Sequence, residues 1–137
     1  MSDTPFAFRL GLRPGRVPDS DAPEQGAAAA VVRVDPADGV AGVFRDAPVL
    51  VRLSRPADPA SVSSATVRVE DPEGDVPGFV HLTQDARVVI WRGQRLLLPG
   101  VLHFVVVTGV RSARGTLVAA HMSRFVSCAL AWRDLDR

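Results

Sequence analysis

The fold of this chain turns on the stretch "VRVDPADGVAGVFRDAPVLVRLSRPADPASV", residues 32–62. Two Pro-Ala-Asp segments, at 36–38 and 56–58, bracket a short run of Val and Leu. Proline has no backbone N–H, so Pro36 and Pro56 each end a strand's ladder bonding. Asp38-Gly39 offers a side-chain acceptor and a residue at ease with positive φ, the make-up of a tight turn. Between the stops, "PVLVRLS" (48–54) alternates, with Val49, Val51 and Leu53 on one side and Leu50 and Arg52 on the other. A period of two marks a strand with one buried face. In "RPADPASV" (55–62), Asp58 is placed to cap a short helical turn and Pro59 suits its first position. The stretch reads as scaffold, a strand bounded by two stops.

The same signature recurs downstream. "VVRV" (31–34), "TVRVED" (66–71), "GFVHLT" (78–83), "RVVIW" (87–91), "VLHFVVVTGV" (101–110) and "SRFVSCALAW" (123–132) are short apolar runs. Turn signals such as "DPADG", "DPEGD" and "RSARG" punctuate them. About seven strands at this spacing, almost without helical periodicity, predict an all-β antiparallel sandwich. Residues 1–29 differ: "PGRVPDSDAPEQGAAA" has the composition of a linker. Ahead of it, Phe6, Phe8, Leu10 and Leu12 alternate with Ala7, Arg9, Gly11 and Arg13. Residues 1–29 are therefore expected to be an extended arm and linker, and residues 30–137 the sandwich domain. A strand isolated by a linker needs a sheet to pair with, its own or another chain's.

Bulk properties narrow the function. The chain has 137 residues, 16 basic and 15 acidic, and a net charge of +1. Every basic residue is Arg, spread from Arg9 to Arg137 without a cluster, and few aromatic residues accompany them, so nucleic acid is not an expected partner. The single cysteine, Cys128, rules out an intrachain disulfide. The opening "MSDTPFAFRLGLRPGR" lacks the basic and apolar segments of a signal peptide. No apolar run approaches the length of a membrane helix. These features predict a cytoplasmic protein, or one on the cytoplasmic face of a membrane complex.

Catalytic and cofactor motifs are lacking in the sequence. A P-loop needs a Lys, and no G-x-G-x-x-G follows a strand, so no cofactor is expected. His81, His103 and His121 are too dispersed for a zinc site. Cys128 and His103 fall on the last two strands and read as core or interface fillers rather than a nucleophile and its base. The acidic turns "DPADG" and "DPEGD" have a composition that calcium accepts, although Asp-Pro and Asp-Gly turns need no ion.

Several motifs in order resemble one family. "VDPADGVAGV" (34–43), "DAPVLVRLSRPADPASV" (46–62), "TVRV" (66–69), "LPG" (98–100) and "GVRSARGTLV" (109–118) are similar to the bacterial Ig-like domain of the SbsA type, found in S-layer and other surface proteins. The resemblance spans roughly residues 30–126. It implies a seven-stranded Ig-like sandwich serving as a spacer, adhesive or interaction module, with no catalytic residues to carry over. The chain departs from it after "LLLPG", where Val, Leu, His and Phe stand in place of the family's alternation of Thr with apolar residues.

That departure directs attention to surface chemistry. In the register that the resemblance implies, His103, Val105 and Val107 face the core and Leu102, Phe104 and Val106 face outward. In the same register Val89 and Trp91 lie inside and Val88 and Ile90 outside. If the two strands share a sheet, these side chains form one apolar patch, the usual mark of a partner surface. Together with Phe6, Phe8, Leu10 and Leu12 they are the expected partner-binding residues. The function expected is a non-enzymatic accessory or structural subunit that contacts other protein subunits of a larger assembly. Alternatives are an exported cell-surface adhesion or spacer module, and a calcium- or ligand-binding sandwich.

Overall fold

A computed structural model describes residues 29–135. The expected N-terminal strand of Phe6, Phe8, Leu10 and Leu12 lies outside the described residues. The strands are β1 (Val31–Asp35), β2 (Val40–Val43), β3 (Val49–Leu53), β4 (Val67–Asp71), β5 (Gly74–Asp75), β6 (Gly78–Leu82), β7 (Val88–Gly93), β8 (Leu102–Val107) and β9 (His121–Ser127), followed by a short helix α1 (Trp132–Leu135). They form two sheets, one in the order β1-β3-β7-β6 and the other β2-β9-β8-β4-β5. The fold is the expected Ig-like β-sandwich, with two short strands, β2 and β5, added to the seven read from periodicity.

Both Pro-Ala-Asp segments are places where the chain changes sheet. After β1, the corner 36–39 carries the chain to β2 at the edge of the opposite sheet. Gly39 adopts φ 85°. Its amide donates to the Arg124 carbonyl at 2.8 Å, and the Asp38 carboxylate accepts from the Arg124 amide at 3.0 Å. This two-way clip sets β2 beside β9, and the two run parallel, whereas the other described strand pairs are antiparallel. The second segment follows β3 and leads to β4, again in the other sheet. There Asp58 caps a 3-10 turn, Pro59–Ser61, accepting from the Ala60 amide at 3.1 Å. Ala57 beside it is buried, its amide bonded to the Ala86 carbonyl at 2.7 Å. A crossing must leave one ladder before joining the next, and a residue without an N–H makes that exit at no loss of a hydrogen bond.

The core lies between the sheets. Val49, Val51 and Leu53 of β3, Val67 and Val69 of β4, Val89 and Trp91 of β7, Val105 and Val107 of β8, and Phe125 of β9 are all buried. Each set obeys the period of two. Trp91, 1 % exposed, is the largest of them. Its indole lies against Gly78 and Gly93, which pair across β6 and β7. No side chain would fit at Gly78 with the indole in place.

The C-terminal run "SRFVSCALAW" does not continue as a strand to residue 132. β9 ends at Ser127, and α1 follows. The Asp46 carboxylate accepts from the amides of Trp132 (2.7 Å) and Arg133 (3.1 Å), satisfying the first turn of that helix. Phe44 and Trp132 meet edge to face with centroids 5.6 Å apart.

Candidate interaction surface

The strands present their expected sides. His103, Val105 and Val107 are buried, while Leu102, Phe104 and Val106 lie on the outer side of β8. Val89 and Trp91 are buried, while Val88 and Ile90 lie on the outer side of β7. The single combined patch does not form. β7 belongs to the four-stranded sheet and β8 to the five-stranded one, so the two outward sets occupy opposite faces of the sandwich.

Each face is built from its own neighbours. On the five-stranded sheet, Leu102 lies opposite Val126 and Val106 opposite Met122, while Phe104 faces Arg124. Met122 is 64 % exposed and Leu102 40 %. Cross-strand apolar pairs of this kind line up as a stripe along β8 and β9. On the β4 side, Phe104 is opposite Glu70 and Val106 opposite Arg68. Arg68 donates to Glu70 at 2.6 Å and to Asp75 at 3.0 Å, giving the stripe a charged rim. Although partial burial opposes it, the bonds and charges of Glu70 and Asp75 raise the affinity of Arg68 for its proton. Met122 and Val126 were not among the residues expected from the sequence. The burial of Phe125 was the available signal, since it puts 122, 124 and 126 on the outer side.

The outer face of the four-stranded sheet is mixed. Ile90 lies between Leu50 and His81, Val88 opposite Arg52, and Phe79 opposite Arg92. Arg33 lies directly across from Arg52, after a register shift in β1. Apolar and cationic side chains thus interleave here more than on the β8–β9 face, where Arg124 is the one cation among the paired outward residues of those two strands.

The interior holds one histidine in an unusual setting. His103 is fully buried and stacks on Phe125, with ring centroids 5.0 Å apart and planes 3° from parallel. Its Nδ1 donates to the Val101 carbonyl at 3.0 Å, and its buried Nε2 has no partner. Burial pushes the imidazole below its ordinary pKa; the Val101 carbonyl and the Asp71 carboxylate oppose that shift without cancelling it. Cys128 is turned elsewhere: its thiol donates to the Leu130 carbonyl at 3.3 Å and accepts from the Leu130 amide at 3.4 Å. The two side chains that a nucleophile–base pair would need are therefore engaged with backbone groups.

The acidic turns are likewise occupied. Asp38 accepts from Arg124, and Asp71 accepts from the Glu73 amide at 2.8 Å. The other Asp71 oxygen is buried 3.6 Å from Arg95, within ion-pair range and too long for a hydrogen bond. Among the described residues, no three or more His, Cys, Asp or Glu side chains converge as metal ligands. No described helix is long and apolar enough to cross a membrane.

Comparison with known proteins gives no match to a family model and none to a curated sequence. Solved structures do match. The N-terminal part of the bacterial S-layer protein SbsC superposes with a TM-score of 0.61 at 15% identity, over 77% of this chain and 24% of that one. CopC from Methylosinus trichosporium OB3b gives 0.61 at 19% identity, over 73% of this chain and 93% of that one. The LD transpeptidase LdtMt1 gives 0.54 at 22% identity, over 74% of this chain and 41% of that one. The domain spans only 14% of a six-domain SbsC structure. At these identities the likeness establishes the fold alone, a β-sandwich shared with a surface-layer protein as well as with proteins of other kinds.

Proposed function

We propose that this chain is a non-catalytic Ig-like module that joins a larger protein assembly through the outer face of its five-stranded sheet. The observation that carries this reading is the apolar stripe of Leu102, Phe104, Val106, Met122 and Val126 on β8 and β9. A stripe of paired apolar side chains with a charged rim has the anatomy of a protein interface. Phe104, at its centre, is the expected anchor, since aromatic side chains dominate interface energetics. Phe6, Phe8, Leu10 and Leu12 form the second contact in this reading, adding a strand to a partner's sheet edge. Val88 and Ile90 belong to the opposite face and are not part of the same contact.

The test is the native size of the protein in gently solubilised lysate. The expected result is elution with a large complex, shifting toward the 14.6 kDa monomer in Phe104→Asp. Ile90→Asp, on the other face, leaves the complex intact. Elution of the unaltered protein as a monomer, or retention of the complex by a folded Phe104→Asp variant, overturns the proposal.

A second reading is an exported surface module. The fold shared with an S-layer protein favours it over the cytoplasmic placement expected from the sequence. In that case the protein is recovered from the cell envelope rather than the cytosol upon fractionation.

A further inference from the structure

Four arginine residues line one cleft at an end of the sandwich, and none of its lining residues belongs to the β8–β9 stripe. Its volume is about 280 Å³. Arg45, Arg92, Arg95 and Arg133 surround it, with Asp46 as the single carboxylate. With Asp71 set against Arg95, the three other cations and Asp46 leave a formal charge of +2 in this small space.

The carboxylate offsets one of these charges and is itself held in place. Asp46 is engaged by the Trp132 and Arg133 amides. Slight burial raises its pKa, but those amides, its own backbone and the Arg133 charge outweigh that and hold it below the ordinary value. Two of the arginines are fixed in place. The Arg45 Nε donates to the Leu97 carbonyl at 2.6 Å, and the Leu97 amide returns a bond to the Arg45 carbonyl at 2.9 Å. Arg95 donates to the Leu96 carbonyl at 3.1 Å and faces buried Asp71. Arg92 and Arg133 make no side-chain hydrogen bond or salt bridge among the described residues. The floor is apolar, formed by Trp91 and Leu97, each 1 % exposed.

Three of the four arginines form no ion pair among the described residues, only Arg95 facing Asp71, and the surplus of like charge repels. An oxyanion relieves that repulsion and accepts from the planar N–H forks that Arg presents. The volume is that of about nine waters, at roughly 30 Å³ each, enough for a small ligand with two or three anionic groups. We propose that this cleft binds a multivalent oxyanion, a carboxylate or a phosphate, with Arg92 and Arg133 closing on a ligand positioned by Arg45 and Arg95.

The experiment is calorimetric titration of the full chain with citrate and, separately, with inorganic pyrophosphate, at ionic strength held constant with sodium chloride. At least one probe is expected to bind saturably and raise the melting temperature; preference between them separates a carboxylate source from a phosphate source. Arg92→Gln/Arg133→Gln should weaken binding about tenfold or more, because two charged hydrogen-bond donors are lost. Its ligand-free melting should not fall, since neither side chain holds the fold and loss of two like charges only lessens repulsion. Arg33→Gln/Arg52→Gln removes equal charge from the β1–β3 face and should leave the affinity unaltered. Failure of both probes to saturate in the millimolar range overturns the proposal. So does equal weakening in the two double variants, which would mean diffuse charge attraction rather than a site. The stripe on β8 and β9 is not involved, so Phe104→Asp should bind the probe normally.

Discussion

Gly78→Ala puts the packing around Trp91 to a test in which two physical terms have opposite signs. Gly78 has no positive φ, so a Cβ is compatible with its backbone. By chain entropy alone, alanine there should stabilise the fold by about 0.4–1 kcal/mol. The packing says otherwise. A Cβ at Gly78 would lie 2.4 Å from both Cε2 and Nε1 of Trp91 and 2.7 Å from Cζ2. Ordinary carbon contacts are about 3.5–4 Å, so the indole must retreat by roughly 1 Å. It has little room, because its far edge lies near Gly93 and the ring is 1 % exposed. Overpacking of this kind costs about 1–3 kcal/mol. The net expectation is a loss of about 1–2 kcal/mol, or a fall of roughly 4–16 °C in melting temperature for a domain of this size. Urea unfolding followed by far-ultraviolet dichroism measures it, a probe that does not depend on Trp91. In a Trp91→Phe background the contacted indole atoms are gone, and Gly78→Ala should become nearly neutral. A Gly78→Ala protein as stable as the parent, or a cost that persists without the indole, would refute the packing argument.

Two other substitutions probe groups whose roles are electrostatic. His103 has a lowered folded pKa, so the unfolded chain binds its proton more readily than the native one. The stability gained by keeping His103 neutral is fully present above the unfolded value of about 6.5 and is lost as pH falls below it. Urea midpoints should therefore decline as pH falls below about 6.5, and His103→Leu should flatten that decline; an identical profile in the variant would contradict the assignment. Asp46→Ala should cost about 1 kcal/mol, as loss of a helix cap does, and should free Trp132, read as a loss of near-ultraviolet dichroism. Because the Asp46 pKa is lowered, its contribution is present above the ordinary carboxylate range and disappears as pH falls through the folded value.

Which side chains share a side of a strand was legible because the period of two is a property of the extended chain itself. Val49, Val51 and Leu53 declare a common side whatever they pack against, whereas the inward side of His103, Val105 and Val107 came from the family resemblance, since both sets of that strand are largely apolar. The caps and turns were legible too: Asp58 before Pro59, and Gly39 at positive φ, answer to local backbone chemistry. Short β2 escaped notice because its partner, β9, lies some eighty residues away and pairs with it through only two registered positions. The division of strands between sheets was not legible either. It depends on which loops cross the sandwich, and the outward sides of β7 and β8 separated for that reason.

The sequence by itself determined the class of fold, the alternating sides of its strands and the stops at Pro36 and Pro56, because each follows from interactions between near neighbours. Only the tertiary structure decided which surfaces are continuous. Met122 and Val126 join Leu102, Phe104 and Val106 through the ladder between β8 and β9. Arg45, Arg92, Arg95 and Arg133 meet because separate segments converge at one end of the sandwich. Proximity between distant parts of a chain is set by the packing of the whole, and no local pattern encodes it.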